Sequence, residues 1–235
     1  MSKKSILFFL LFSIVSFSYC INAFGPYLQC PTRTSIRVLW KTDLPTESII
    51  ALGKEPNKWD SIYTFSSKKM YHKVEFVGLE PNTKYYYAQM ENGKVLPNKQ
   101  GEGYFTTLPL EAKPIPFRVW CLGDFGKATE QQRAVRLSFE AYNKDNPTNF
   151  WIWLGDNAYN TGKEIEYQEK VFSKYYGYDS IMKFLPFMPC PGNHDYGSVS
   201  RWGGPKKHKG PYFKLFDVYK KGEAGGVASG SQLYS

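Results

Sequence analysis

At 235 residues the chain is long enough for one large domain or two ordinary ones. Its 42% hydrophobic and 17% aromatic content can fill a core, which excludes wholesale disorder. A formal charge of +9 favours anions, but the chain has no long Lys/Arg block and no nucleic-acid-binding motif, so charge alone selects no partner.

The first twenty residues, MSKKSILFFLLFSIVSFSYC, carry two lysines, an apolar run from Ile6 to about Phe17, and small residues after it. This predicts a signal peptide over residues 1–23, cleaved after Ser18 or Ala23, and a secreted, extracytoplasmic protein. The run is shorter than the ~20 apolar residues of a spanning helix, so no membrane span is expected beyond this segment. An uncleaved anchor is the alternative. Export permits disulfides, yet Cys20, Cys30, Cys121 and Cys190 lack the CxxC spacing of a zinc knuckle. Cys121 and Cys190 read as buried small hydrophobes at strand ends, with a bridge between them as the alternative.

Residues 24–108 alternate and turn like an all-β module. SIRVLWKTD (35–43) and KVEFVGL (73–79) are β-branched and aromatic runs bounded by turn formers. Leu79, Pro81, Thr83 and Tyr85 follow the pattern L-x-P-x-T-x-Y, which resembles the tyrosine corner of fibronectin type III sandwiches. That resemblance implies an Ig-like sandwich with Trp40 as its core indole and the Tyr85 hydroxyl bonded back to the backbone. His72 lies on a strand and reads as a packed or solvated residue.

Three prolines within residues 109–116 predict a stiff linker. From residue 117 to 235 the pattern changes to α/β. FRVWCLGDFG (117–126) is an apolar strand entering a glycine-rich turn. ATEQQRAVRLSFEAYNK (128–144) is an amphipathic helix, with Thr129 and Gln132 spaced as a capping box. NFWIWLGDNAY (149–159) is a second buried strand, and a helical stretch is expected near 163–184. Strand, helix, strand, helix implies a mainly parallel sheet covered by helices.

In such a sheet ligands gather at the carboxyl ends of the strands. Each apolar strand here delivers a polar cluster at that end: Gly123-Asp124-Phe125-Gly126, Gly155-Asp156-Asn157-Ala158-Tyr159 and Gly192-Asn193-His194-Asp195. Two carboxylates, a phenol and an amide brought to one point would crowd negative charge unless a cation balanced it. Oxygen donors of this kind suit hard metal ions.

The ordered motifs GDxG, GDxxY and GNH[DE], preceded by the GPYLQ segment (25–29) and the sandwich, resemble the purple acid phosphatases of the metallophosphoesterase superfamily. The resemblance implies an αββα metallophosphoesterase domain over residues 117–235. It implies a ferric ion bound by Asp124 and by Tyr159 as tyrosinate, with Asp156 bridging to a second divalent metal (Fe, Zn or Mn) that Asn193 ligates. His194 would face the substrate as a catalytic residue, with Asp195 as its orienting partner. The implied activity is acid phosphatase chemistry: hydrolysis of small-molecule phosphate monoesters by metal-bound hydroxide, with the tyrosinate giving the family's colour.

The chain departs from that pattern at two places. Gly126 stands where related phosphoesterases usually carry a histidine, two residues after the first aspartate. The family also completes its site with three further metal-binding histidines, one motif being GHxH, whereas the histidines here are His72, His194 and His208. The expectation is that residues 117–235 form only the first half of the domain, and that activity belongs to a longer polypeptide. Phosphodiester or nucleotide hydrolysis by the same centre is one alternative. A non-catalytic surface module, if the chain truly ends at Ser235, is the other.

Overall fold

The computed structural model describes residues 22–96, 101–110, 116–197, 208–219 and 222–223. Most of the expected signal peptide, Cys20 and the centre of the proline-rich linker lie outside the described residues.

The first half of the chain is built from antiparallel strands β1 (Asn22–Gln29), β2 (Ser35–Gly53), β3 (Ser61–Val77), β4 (Lys84–Glu91), β5 (Lys94–Val95) and β6 (Glu102–Thr106). β2 is long because it serves two neighbourhoods. Its first part pairs with β1 and with the end of β3, while its last part pairs with β4 and the start of β3. Its register breaks between Lys41 and Ser48, where Pro45 cannot donate to a ladder. On either side of the break the inward residues belong to one core: Ile36, Val38 and Trp40 before it, Ile50 and Leu52 after it. Cross-strand pairing sets the buried face directly, since Ile36 opposes Phe76, Val38 opposes Val74 and Trp40 opposes His72.

His72 holds the break. Its ring stacks on Trp40 with centroids 4.6 Å apart. The Thr42 hydroxyl donates to the Leu44 carbonyl at 2.7 Å, so its oxygen accepts from His72 Nε2 at 3.0 Å; His72 Nδ1 in turn accepts from Ser48 at 2.8 Å. The tyrosine corner is present as a contact: the Tyr85 hydroxyl accepts from the Glu80 N–H at 3.0 Å.

The second half holds a parallel sheet of β7 (Val119–Leu122), β8 (Phe150–Trp153) and β9 (Phe187–Met188), in that order. Helix α1 (Glu130–Asp145) lies between β7 and β8 in sequence and stacks Phe139 on Trp120, with ring centroids 3.8 Å apart. Trp151 and Trp153 are fully buried. Thr129 caps α1 by accepting from the Gln132 N–H at 3.2 Å. The reciprocal bond of a capping box is displaced to the two residues before the cap. Gln132 Oε1 accepts from Lys127 and Ala128, and its Nε2 donates to the carbonyls of Lys170 and Tyr176.

Two sequence expectations are corrected. The stretch near 163–184 is not one helix but α2 (Glu164–Glu166), a π-helical turn over Tyr167–Val171, and α3 (Asp179–Met182). Gly177 shows why: a Cβ there would lie 2.2 Å from the Val171 carbonyl oxygen, so the chain folds tightly back on itself between the two turns. Cys121 is exposed, and Cys30, Cys121 and Cys190 are all free thiols. On edge strand β7 the period of two turns Trp120 and Leu122 towards the core and Cys121 to solvent.

The two halves share a core. Phe24, Tyr27 and Leu39 from β1 and β2 belong to the same buried cluster as Trp151, Trp153, Phe172 and Phe187. Phe24 stacks on Phe172 at 4.2 Å, and Tyr27 packs against Phe172, Phe187 and Phe216. Helix α4 (Tyr212–Leu215) closes this cluster, its Leu215 carbonyl accepting from the Tyr27 hydroxyl. Polar links surround the apolar ones. Arg37 reaches Asp217 at 3.3 Å, Glu75 at 3.1 Å and Glu223 at 3.1 Å, and Lys41 reaches Glu164 at 3.2 Å.

Candidate metal centre

The ends of β7, β8 and β9 are tied together through the backbone. The Leu154 N–H donates to the Leu122 carbonyl, that of Asp124 to Gly155, that of Tyr159 to Gly126, and that of Cys190 to Trp153. Phe125 anchors the first tip by burying its ring against Trp153 and Tyr178. Asp124 and Asp156 both adopt left-handed backbone, with φ of 55° and 51°. Non-glycine residues are uncommon there, and such strain collects at functional sites.

These tips place Asp124, Asp156 and Tyr159 together. The Tyr159 hydroxyl donates to Asp124 Oδ1 at 2.6 Å and lies 3.4 Å from Asp156 Oδ2. Burial, followed by the bond to Asp124, raises the phenol pKa, so without a cation it keeps its proton. Lys127 sets its ammonium 4.2 Å from the centre of the Tyr159 ring.

The third tip joins through the backbone of His194, whose N–H donates to Asp156 Oδ1 at 3.0 Å. The His194 ring lies 4.2 Å from the Tyr159 ring. A carbonyl can only accept, so the 2.6 Å contact between His194 Nδ1 and the Asn160 oxygen places a proton on Nδ1. Asn193 is exposed at the turn.

Asp195 has another place than the one expected of an orienting partner. It is fully buried, and its Oδ2 accepts from the N–H of Gly192 at 2.8 Å, the N–H of Asn157 at 3.1 Å and the Asn157 amide at 3.0 Å. Its Oδ1 accepts from the Tyr167 hydroxyl. Burial raises its pKa against these bonds. Asp195 therefore holds the turn under His194, and the partner found at His194 Nδ1 is the Asn160 carbonyl. Asn157, Asn160, Tyr167 and Lys127 are the contributors that sequence reasoning missed. Asn157 lies inside the second motif and Lys127 and Asn160 directly follow the first and second, whereas nothing in the sequence marks Tyr167.

The donor chemistry fits a hard cation. Two carboxylate oxygens converge on one phenol oxygen, and a single proton now links what an ion would hold. Among the described residues, no three His, Cys, Asp or Glu side chains cluster closely enough to bind a metal by themselves. The donor set is thus oxygen-rich and short of imidazole. A cleft of about 510 Å³, lined in part by Trp59, Tyr86, Tyr104 and Phe184, lies at the junction of the two halves and shares no residue with this cluster.

Residues 117–231 match the family profile described as calcineurin-like phosphoesterase. No curated protein matches the chain. Among solved structures, one titled "Structure of PhoD" aligns with a TM-score of 0.52 at 17% identity, covering 76% of this chain and 40% of that one. This chain therefore spans less than half the length of that protein, and the likeness concerns fold. A redesigned β-sandwich protein (26% identity, TM-score 0.29) covers 37% of this chain and 95% of its own. The RsgI4 sensor domain from Pseudobacteroides cellulosolvens (18% identity, TM-score 0.30) covers 40% of this chain and 100% of its own.

Proposed function

We propose that this protein is an exported, metal-dependent phosphoric ester hydrolase of the purple acid phosphatase kind, acting on small phosphate monoesters. The observation that carries the reading is the Tyr159 hydroxyl shared between Asp124 and Asp156, an arrangement of three oxygens on two strand tips. The match of residues 117–231 to the calcineurin-like phosphoesterase profile supports the reaction class. The Glu80–Tyr85 bond supports a fibronectin type III identity for the β half, and the lysine-led apolar run before Phe17 supports export.

Asp124 and Tyr159 would hold a ferric ion, Asp156 would bridge, and Asn193 would serve a second, divalent metal. Bound there, such a pair supplies Lewis-acid stabilisation of charge on the phosphoryl group. The chain's own residues do the rest. The Asn160 carbonyl keeps the Nδ1 proton of His194 in place, so Nε2 is the atom that gives or takes a proton at the leaving group. The Lys127 ammonium, beside the Tyr159 face, draws the phosphate towards the carboxylates. Asp195 keeps the turn rigid from below.

Metal analysis of the purified protein, combined with hydrolysis of para-nitrophenyl phosphate and of its bis-aryl diester, tests this reading. Iron with a second metal, faster monoester turnover, and loss of visible absorption in Tyr159→Phe are expected. Protein free of transition metals overturns the proposal. Preferred cleavage of the diester replaces the monoesterase by a phosphodiesterase.

A further inference from the structure

The loop between Tyr159 and α2 is gripped by a residue that no motif marks. Glu166 Oε1 accepts from the Asn160 N–H, and its Oε2 accepts from the N–H groups of Thr161 at 3.0 Å and Lys163 at 2.9 Å. The Thr161 hydroxyl adds a bond at 3.3 Å. One turn later, Lys170 donates to the Tyr159 carbonyl and lies 3.4 Å from Glu166 Oε1. The Glu166–Lys170 pair therefore holds both ends of one peptide unit, the Tyr159 carbonyl and the Asn160 N–H. The next carbonyl along the chain, that of Asn160, receives His194 Nδ1–H at 2.6 Å.

We infer that Glu166 is a positioning residue that sets the tautomer of His194, by fixing the Asn160 carbonyl which only an Nδ1–H can meet. In water a neutral histidine favours the proton on Nε2, so the loop imposes the less favoured form. The neutral ring then presents its Nε2 lone pair away from the loop. Burial opposes the ionised form of Glu166, but its bonds from Lys163, Thr161 and Asn160 outweigh this and lower its pKa, so the anchor stays anionic. Three N–H donors on one carboxylate hold a loop far better than any one of them would alone. What Nε2 does to a substrate rests on the function proposed above; the control of the tautomer does not.

The experiment is a long-range ¹H–¹⁵N spectrum of the full chain in alkaline buffer, with the His194 signals assigned by their loss in His194→Asn. His194 is expected as the Nδ1–H form. His72 is expected as the Nε2–H form, because Thr42 accepts from its Nε2 and Ser48 donates to its Nδ1. In Glu166→Ala the Nδ1–H form of His194 should become the minority while the His72 signature stays. Dispersion of the backbone amide signals reports that the variant is folded, since His72 in an unfolded chain would show the Nε2–H form as well. If Glu166→Ala loses that dispersion, Glu166→Gln is the second variant, since its amide turns N–H groups against the loop's donors and should give the same switch. Retention of the Nδ1–H form in either folded variant overturns the inference, as does an Nε2–H form in the unaltered protein. A tautomer switch in a protein without phosphoesterase activity would uphold the inference and overturn only the catalytic reading.

Discussion

A Cβ placed on Gly126 would lie 1.9 Å from the carbonyl oxygen of Asn157, so the second strand tip rests directly on the first. Gly126 also has φ of +75°, a conformation that L side chains rarely adopt. Both facts forbid a side chain at the position where related phosphoesterases carry histidine. The departure is built into the backbone: accepting an imidazole there would require the two tips to separate.

Gly126→Ala should therefore cost about 3 kcal/mol or more, from left-handed strain together with overpacking against main chain. Denaturant unfolding measures it. A loss below about 1 kcal/mol would mean that the tips move apart easily.

Asp195→Ala separates scaffold from chemistry. It removes the acceptor for Gly192, for both donors of Asn157 and for the Tyr167 hydroxyl, all in a buried site. The expected loss of stability is about 3 kcal/mol. Unchanged unfolding midpoints with reduced hydrolysis would instead assign Asp195 to the chemical step.

Arg37 is a single side chain serving both halves. Arg37→Ala removes one cation from the buried Asp217, which keeps Lys73 at 3.0 Å, and releases the bonds to Glu75 and Glu223. Leaving a buried charge without a partner costs about 3–5 kcal/mol, so with Lys73 still on Asp217 the expected loss is smaller, about 1–3 kcal/mol. Melting should drop accordingly, and limited proteolysis should open the segment around Val218. Resistance to protease equal to that of the unaltered protein would show that the apolar contacts of Tyr27 and Phe216 suffice there.

Acid sensitivity is expected from His72. Burial, and secondarily the charge of Lys69, lower its pKa from 6.5 to about 4. Through that window the unfolded chain binds a proton that the folded chain refuses, so stability falls as pH falls. The loss is at most about 3 kcal/mol. It should shrink in His72→Gln, as read from urea midpoints at either end of the window. An equal loss in both proteins would remove His72 as the cause.

The sequence revealed the strand tips because their chemistry is local. Glycine, aspartate and an apolar run are adjacent in the chain, so Asp124, Asp156 and Tyr159 could be assigned to one place from spacing and topology. The β half was readable for the same reason: KVEFV alternates, and Tyr85 answers Glu80 only five residues away. What stayed hidden depends on contacts distant in sequence or on fine backbone geometry. Gly177 breaks the helix expected near 163–184 because its neighbour in space is Val171. Asp195 reads as a histidine partner beside His194, yet the backbone turns its carboxylate down towards Asn157 and Tyr167. Cys121 looked buried because a four-residue edge strand gives little pattern from which to tell its inner from its outer face.

The proline-rich stretch around residue 112 divides the polypeptide by composition, but the apolar contacts do not respect that division. Phe24 and Tyr27 are planted among the aromatic rings of the parallel-sheet half. Severing the backbone there should leave two fragments that stay associated and can be reassembled from separate expression. Deleting the leading fragment, by contrast, should strip the remaining one of part of its own interior.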